Sequence, residues 1–267
     1  MKDQEKIQFV PLNKIPALSG VGFFFTTRQG GESQGGYGGL NLGLHVADDP
    51  KRVHRNRQAL QQALSLSVDS LVFVNQVHGV TTLHAPLDTE QQPDADGLVT
   101  THNRVALAIM TADCAPLLLA DPVARVVGAA HAGWRGAEAG IVASCLEQMV
   151  ALGSRPENVV AIIGPCIRSP SYEVGDQFRK HFLEKAKNKN HFGCQKFFSY
   201  SSDQGTVHFD LPGYLHEQLT WNHVSPDKIY DVGLCTYLND DLFFSHRRTT
   251  IRGEAQCGRQ VGGIYLC

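Results

Sequence analysis

Three short apolar runs, Val105 to Thr111, Pro116 to Ala120 and Val126 to Ala130, follow one another with turn signals between them. Runs of this length without polar alternation predict strands covered on both faces. Val21 to Phe25, Leu71 to Val77, Val159 to Ile163, Ile229 to Val232 and Val261 to Leu266 predict further strands. Spaced apolar residues among good helix formers predict a surface helix over Lys51 to Leu64. Helical spacing also covers Ala137 to Leu152, with Gly153 as its stop, then Asp176 to Lys187, and Pro212 to Trp221 behind an Asp210 cap.

Between the predicted elements, Arg28 to Asn41 is rich in glycine and reads as a loop able to close over a ligand. It lacks the Gly-Lys-Ser/Thr ending of a phosphate-binding P-loop and the strand-turn-helix setting of a dinucleotide fingerprint. Asn188 to His208 is polar and irregular, which predicts a surface excursion. No Pro/Ser linker, low-complexity tract or fixed-period repeat divides the chain. The expectation is one α/β domain spanning residues 1–267.

Composition narrows the function classes. The 267 residues are 42% hydrophobic and 19% charged, ordinary values for a globular chain with a sizeable core. With 24 Lys+Arg against 26 Asp+Glu, there is no overall basic field to gather nucleic acid or an anionic membrane. The N-terminus, Met1 to Phe9, carries charges where a signal peptide needs apolar residues, and no apolar run approaches a membrane span. These features predict a cytoplasmic protein acting on small molecules, without nucleic-acid or membrane partners. The seven cysteines are odd in number and scattered, unlike a secreted disulfide framework.

Three segments place metal-competent side chains beside strand ends or tight turns: Asn75-Gln-Val-His78-Gly, Thr111-Ala-Asp-Cys114-Ala-Pro and Ala130-His131-Ala-Gly-Trp-Arg-Gly136. Two imidazoles and a thiolate suit zinc, and three protein ligands leave a fourth position open for catalysis. However, 35 residues separate His78 from Cys114 and 16 separate Cys114 from His131, so only folding brings them together. Three other readings stay open at this point. Cys114 is a small buried core residue beside two turn histidines; or it is a nucleophile with His131 as its base, in a hydrolase acting on an amide of a cell-wall precursor; or the site is a closed structural zinc with His45 or Cys166 as fourth ligand, in a partner-binding protein.

The wording of the segments closely resembles the laccase-domain family, also called the multicopper polyphenol oxidase family and associated with purine nucleoside phosphorylase activity. The resemblance runs through Thr26-Thr-Arg-Gln-Gly-Gly, Leu40-Asn-Leu-Gly, Arg55-Asn-Arg, Asn75-Gln-Val-His-Gly, Asp94-Ala-Asp-Gly, Thr111-Ala-Asp-Cys, His131-Ala-Gly-Trp-Arg-Gly, Ile163-Gly-Pro-Cys-Ile, Tyr172-Glu-Val-Gly and Phe243-Phe-Ser-His-Arg-Arg. It implies an α/β/β/α sandwich of mixed sheets flanked by helices, and a zinc site at His78, Cys114 and His131. The implied reaction is phosphorolysis of purine nucleosides, with adenosine deamination and methylthioadenosine phosphorolysis as further activities. Copper is the less fitting metal, because the histidine-rich clusters that coupled copper ions need are missing from the sequence.

Phosphorolysis needs anion donors, and Arg28, Arg57 and Arg135 lie in motifs of the family. Arg57 is placed with Asp113 in the catalytic set, Asp113 as general acid/base or as a partner orienting a metal ligand. Asn41 and Gln76 join Arg28 and Arg135 as candidates for holding nucleoside and phosphate. The stretch from Ser245 to Gln260 is longer than the family's usual arginine-to-glycine turn, so no ligand role is carried onto Arg252 or Arg259.

Overall fold

The computed structural model describes residues 6–67, 70–87, 92–188, 193–201 and 205–267. The charged start of the chain, Met1 to Glu5, and residues 189–192 and 202–204 of the expected excursion lie outside them. In chain order the elements are β1 (Val21–Phe25), α1 (Pro50–Ala63), β2 (Leu71–Val72), β3 (Thr82–His84), β4 (Gly97–Thr100), β5 (Ala106–Thr111), β6 (Ala115–Asp121) and β7 (Val126–Ala132). They continue with α2 (Trp134–Ala139), α3 (Ile141–Ala151), β8 (Val160–Ile163), β9 (Glu173–Val174), α4 (Asp176–Asn188), β10 (Phe198–Tyr200), β11 (Val207–Phe209), α5 (Leu211–Trp221), β12 (Ile229–Asp231), α6 (His246–Ile251) and β13 (Gln260–Leu266).

The three apolar runs are strand β5 of one sheet and the paired strands β6 and β7 of the other, and their lack of alternation has a direct cause. Leu118 and Ala120 of β6 face β5 and β13, in a cluster with Phe25, Leu107, Ile109, Val127 and Ile264. Leu117 and Leu119 point the other way, onto Ile141, Cys145 and Met149 of α3 and Leu215 and Leu219 of α5. On the far side, Ala108 and Met110 of β5 pack with Phe24, Leu40, Leu60 and Val261 beneath α1. Successive residues of a strand point to opposite faces, so a strand between two layers is apolar at every position. The result is the expected α/β/β/α layering of mixed sheets. One sheet runs β1-β13-β5-β2 and the other β12-β8-β6-β7-β4-β3.

Local chemistry sets the helix ends. Asp49 accepts from the Lys51 N–H at 2.9 Å and Pro50 occupies the first turn of α1. Asp210 does the same for α5 through the Gly213 N–H.

Three expectations need correction. The helix expected over Ala137 to Leu152 is broken at Gly140, whose φ of +118° is left-handed and separates α2 from α3. Only Leu71–Val72 of the strand expected to run to Val77 pairs with β5; the rest runs out toward His78. The described parts of the expected excursion include β10 and β11, which pair with each other, β11 also pairing with β9. Phe198 and Phe209 from this small sheet join Phe178, Phe182 and Tyr214 in a nest of aromatic contacts, so a few large rings bury a segment of polar average composition.

Candidate metal centre and its cavity

His78, Cys114 and His131 come together from three places: the turn before β3, the β5–β6 corner and the end of β7. The antiparallel register of β6 on β7 sets Ala115 against Ala132, which brings the two strand ends beside each other. The ligand atoms of all three residues lie within 4.8 Å of one another, and Cys114 Sγ is 3.9 Å from His78 Nε2. Zinc bonds of about 2.0–2.3 Å place tetrahedral ligands roughly 3.5 Å apart, so side chains within 4.8 Å of one another would close on an ion by drawing together by up to about 1.3 Å. Cys114 is half-buried and His131 buried, while His78 is open to the cavity.

The charges favour a thiolate. Burial opposes ionisation of Cys114, but the charge of His131 and hydrogen bonds from His131 and His78 outweigh it and hold the thiol down at about 6. Burial likewise disfavours a charged His131, and the Cys114 thiolate and Asp96 overcome it and raise the imidazole to about 9. A metal ion substitutes for the proton in such a cluster, since its ligands are a thiolate and neutral imidazoles.

Two further residues of the matching motifs, Asp96 and Gly133, stand behind the cluster. Asp96, fully buried, meets His131 Nδ1 with Oδ1 at 2.8 Å. Its carboxylate also accepts from the backbone N–H groups of Val77, His78 and Gly79 at 3.1, 3.0 and 2.6 Å. Gly133 opens α2 against the ligands; a Cβ there would lie 2.7 Å from Cys114 Sγ and 3.2 Å from His78 Cδ2.

His78, Cys114 and His131 form one wall of a cavity of about 470 Å³, within the range of roughly 300–1,000 Å³ typical of small-molecule sites. Met110, Trp134, Ile167, Tyr172 and Leu211 give it apolar surface, and Arg135, Arg247 and Arg259 give it positive charge. Arg135 lies over the Trp134 ring at 4.5 Å and Arg247 over the Tyr172 ring at 5.5 Å, contacts that favour these placements of both guanidinium groups. His45 also lines the cavity; burial, then the charges of Arg259 and Arg57, push it down to about 4, so it is neutral at pH 7. The buried hydroxyl of Thr111, another lining residue, has no hydrogen-bond partner among the described residues.

The remaining candidates divide. Asp113 lines the cavity, but Oδ1 accepts from Thr236 Oγ1 at 2.6 Å and Oδ2 from the Arg247 N–H at 2.7 Å. Gln76 lines it too, with its amide bound to the Met110 backbone. Arg57 lies outside the cavity wall, its guanidinium 3.9 Å from the Phe73 ring and lowered to about 10 by burial. Arg28 faces a neighbouring cavity, 3.2 Å from Asp240 and 4.5 Å from the Phe244 ring. Asn41 is buried and ties its own loop together, donating to Asp48 and accepting from the Gly43 and Arg259 N–H groups. Of the suggested fourth ligands, neither His45 nor Cys166 falls in the cluster. Arg259 lines the cavity, whereas Arg252 pairs with Asp240 at 2.7 Å.

Fold and site together define a layered α/β protein with a three-ligand His-Cys-His cluster opening into a cationic cavity. The chain belongs to the laccase-like family: a family model described as multi-copper polyphenol oxidoreductase laccase matches residues 22–267. It is 42% identical over 260 residues to a purine nucleoside phosphorylase of Deinococcus radiodurans, covering 96% of this chain and 93% of that one. A second relative, purine nucleoside phosphorylase ORF3 of Streptomyces griseus, is 38% identical over 259 residues, covering 94% and 96%. Among solved structures, hypothetical protein YfiH of Bacillus licheniformis superposes with a TM-score of 0.85 at 32% identity, covering 100% of this chain and 98% of that one. YlmD from Geobacillus stearothermophilus does so with a TM-score of 0.84 at 32% identity, covering 94% and 93%. Among the described residues one cluster of three or more metal-competent side chains comes together. No helix of the described residues is long and apolar enough to cross a membrane.

Proposed function

We propose that this chain is a zinc-dependent purine nucleoside phosphorylase of the cytoplasm, folded as one domain, converting a nucleoside and phosphate to free base and ribose 1-phosphate. The observation that carries this reading is the placement of the His78–Cys114–His131 cluster and three arginines around one cavity of nucleoside size.

Breaking the N-glycosidic bond makes the ribose cationic and the leaving purine electron-rich, with phosphate held close to the anomeric carbon. Arg135, Arg247 and Arg259 are the anion donors of this cavity; the planar guanidinium fork suits phosphate oxygens. Stacking on Trp134 and Tyr172 holds two of the forks with little freedom left to lose on binding. Met110, Ile167 and Leu211 exclude water from the base. His78, Cys114 and His131 would hold a zinc ion, which would supply Lewis acidity to this wall of the cavity when bound. Asp113 anchors Thr236 and the Arg247 backbone, and so fixes where the Arg247 side chain leaves its segment. Gln76 sets the approach to His78, while Arg57 and Asn41 support the cavity from behind its wall through Met110 and Arg259, and Arg28 serves the neighbouring cavity.

Purified protein incubated with inosine and phosphate is expected to release hypoxanthine only when phosphate is present, and His78→Ala is expected to abolish release. Release that ignores phosphate, or that survives His78→Ala, would overturn the reading. Adenosine and methylthioadenosine in the same assay define the breadth of the site: adenine reports phosphorolysis, and inosine from adenosine reports deamination.

A further inference from the structure

We propose that Asp96 is the positioning residue for both histidine ligands of the metal site, a role that rests on reading His78, Cys114 and His131 as the ligands. Asp96 stands immediately before β4 and is fully buried. One carboxylate there would be costly to bury unless its lone pairs were satisfied. Four donors satisfy it: His131 Nδ1 at 2.8 Å and the successive backbone N–H groups of Val77, His78 and Gly79.

Those three N–H groups converge because His78 has a φ of +60°, the left-handed region that a residue with a side chain seldom adopts. Successive amides around a left-handed residue form a concavity that binds an anion, and here the anion is the Asp96 carboxylate. The negative charge therefore stabilises the conformation that turns the His78 ring toward Cys114. The same carboxylate takes the Nδ1 side of His131, which leaves Nε2 to face the cluster. A further bond, from the His131 N–H to the Asp96 carbonyl at 2.7 Å, locks the two segments in register. One side chain thus fixes the backbone of one ligand and the tautomer and orientation of another.

The test is Asp96→Asn, which keeps the size but turns one acceptor into a donor facing backbone N–H groups. Zinc affinity is measured by chelator competition on the full chain, with cobalt substituted in parallel for its absorption spectrum. The expected result is a loss of zinc affinity of roughly tenfold to a hundredfold, with a shifted cobalt spectrum. Asp121→Asn, which removes a buried carboxylate far from the cluster, is expected to lower stability and leave zinc affinity unchanged. If Asp96→Asn fails to fold, heteronuclear NMR of zinc-loaded wild-type protein reads the same claim, with His131 expected to carry its proton on Nδ1. Unchanged zinc affinity in Asp96→Asn, or a His131 proton on Nε2, overturns the proposal while sparing the site. Wild-type protein that takes up no zinc removes the site itself and the proposal with it.

Discussion

The side-chain amide of Gln76 brackets the backbone of Met110: Nε2 donates to its carbonyl and Oε1 accepts from its N–H, each at 2.8 Å. Gln76 thereby continues the pairing that β2 makes with β5 after the ladder itself has ended at Val72. It carries the chain across the cavity floor to His78. Gln76→Glu keeps the acceptor and replaces the donor with a second acceptor facing the carbonyl. Leaving that buried carbonyl unpaired is expected to cost about 1–3 kcal/mol in urea unfolding, with weaker zinc binding as His78 loses its approach. Unchanged stability would mean that the bracket is not maintained in solution.

Gly133→Ala probes the ligands by steric contact alone. Gly133 has a φ of −74°, which alanine adopts without strain, so the backbone tolerates the change. The new Cβ would sit 2.7 Å from Cys114 Sγ, closer than real contacts allow. Zinc affinity is expected to fall roughly tenfold or more with little change in melting temperature, measured by chelator competition and calorimetry. A melting temperature that falls while affinity holds would place the clash elsewhere.

The cavity arginines separate from those behind it. Arg247→Ala removes a cation held over Tyr172 and is expected to raise the KM for phosphate roughly tenfold to a hundredfold, the value of a hydrogen bond to a charged group. Arg28→Ala breaks the pair with Asp240 in the neighbouring cavity and is expected to leave that KM within a factor of about two. Steady-state kinetics with varied phosphate decides between them; a reversed order would move the phosphate to the other cavity.

Acid stability has an identifiable contributor away from the site. Asp121 is fully buried and accepts from the Val123, Ala124 and Arg155 N–H groups and from Ser154 Oγ, all at 2.9 Å. Burial works to raise its carboxyl, but these hydrogen bonds outweigh it and hold it below the ordinary value of 3.8. A group lowered in the folded state stabilises the fold above its unfolded value, and that contribution disappears as pH falls below 3.8 toward the folded value. Urea midpoints between pH 6 and pH 3 are expected to fall less steeply for Asp121→Asn than for wild type. Parallel slopes would contradict the assignment.

The sandwich was legible because β5, β6 and β7 are covered on both faces, and continuous burial writes itself into the sequence as unbroken apolar runs. Gly140 was not, because the apolar spacing of α3 continues through it and only the left-handed φ separates the two helices. The small sheet of β9, β10 and β11 was hidden for a related reason: its burial comes from Phe198 and Phe209, too few residues to offset polar neighbours. At the site, the three side chains that cluster could be picked out from the wording of their motifs but not from spacing, since strand register joins them. Asp96 carried no periodic signal at all. Its function depends on a turn that lies before it in the chain and a strand that lies after it. The arginines divided on geometry that no motif encodes: Arg135 faces the cavity, while Arg28 and Arg57 stack on Phe244 and Phe73 outside its wall.

The most direct test of the account is the fate of the sugar. Zinc-loaded protein, inosine and inorganic phosphate are followed by phosphorus NMR together with chromatography of the base. Phosphorolysis predicts ribose 1-phosphate and hypoxanthine in equal amounts, both lost in Cys114→Ala protein that no longer retains zinc. Hypoxanthine accompanied by free ribose, or inosine left intact by zinc-loaded wild-type protein, would contradict it.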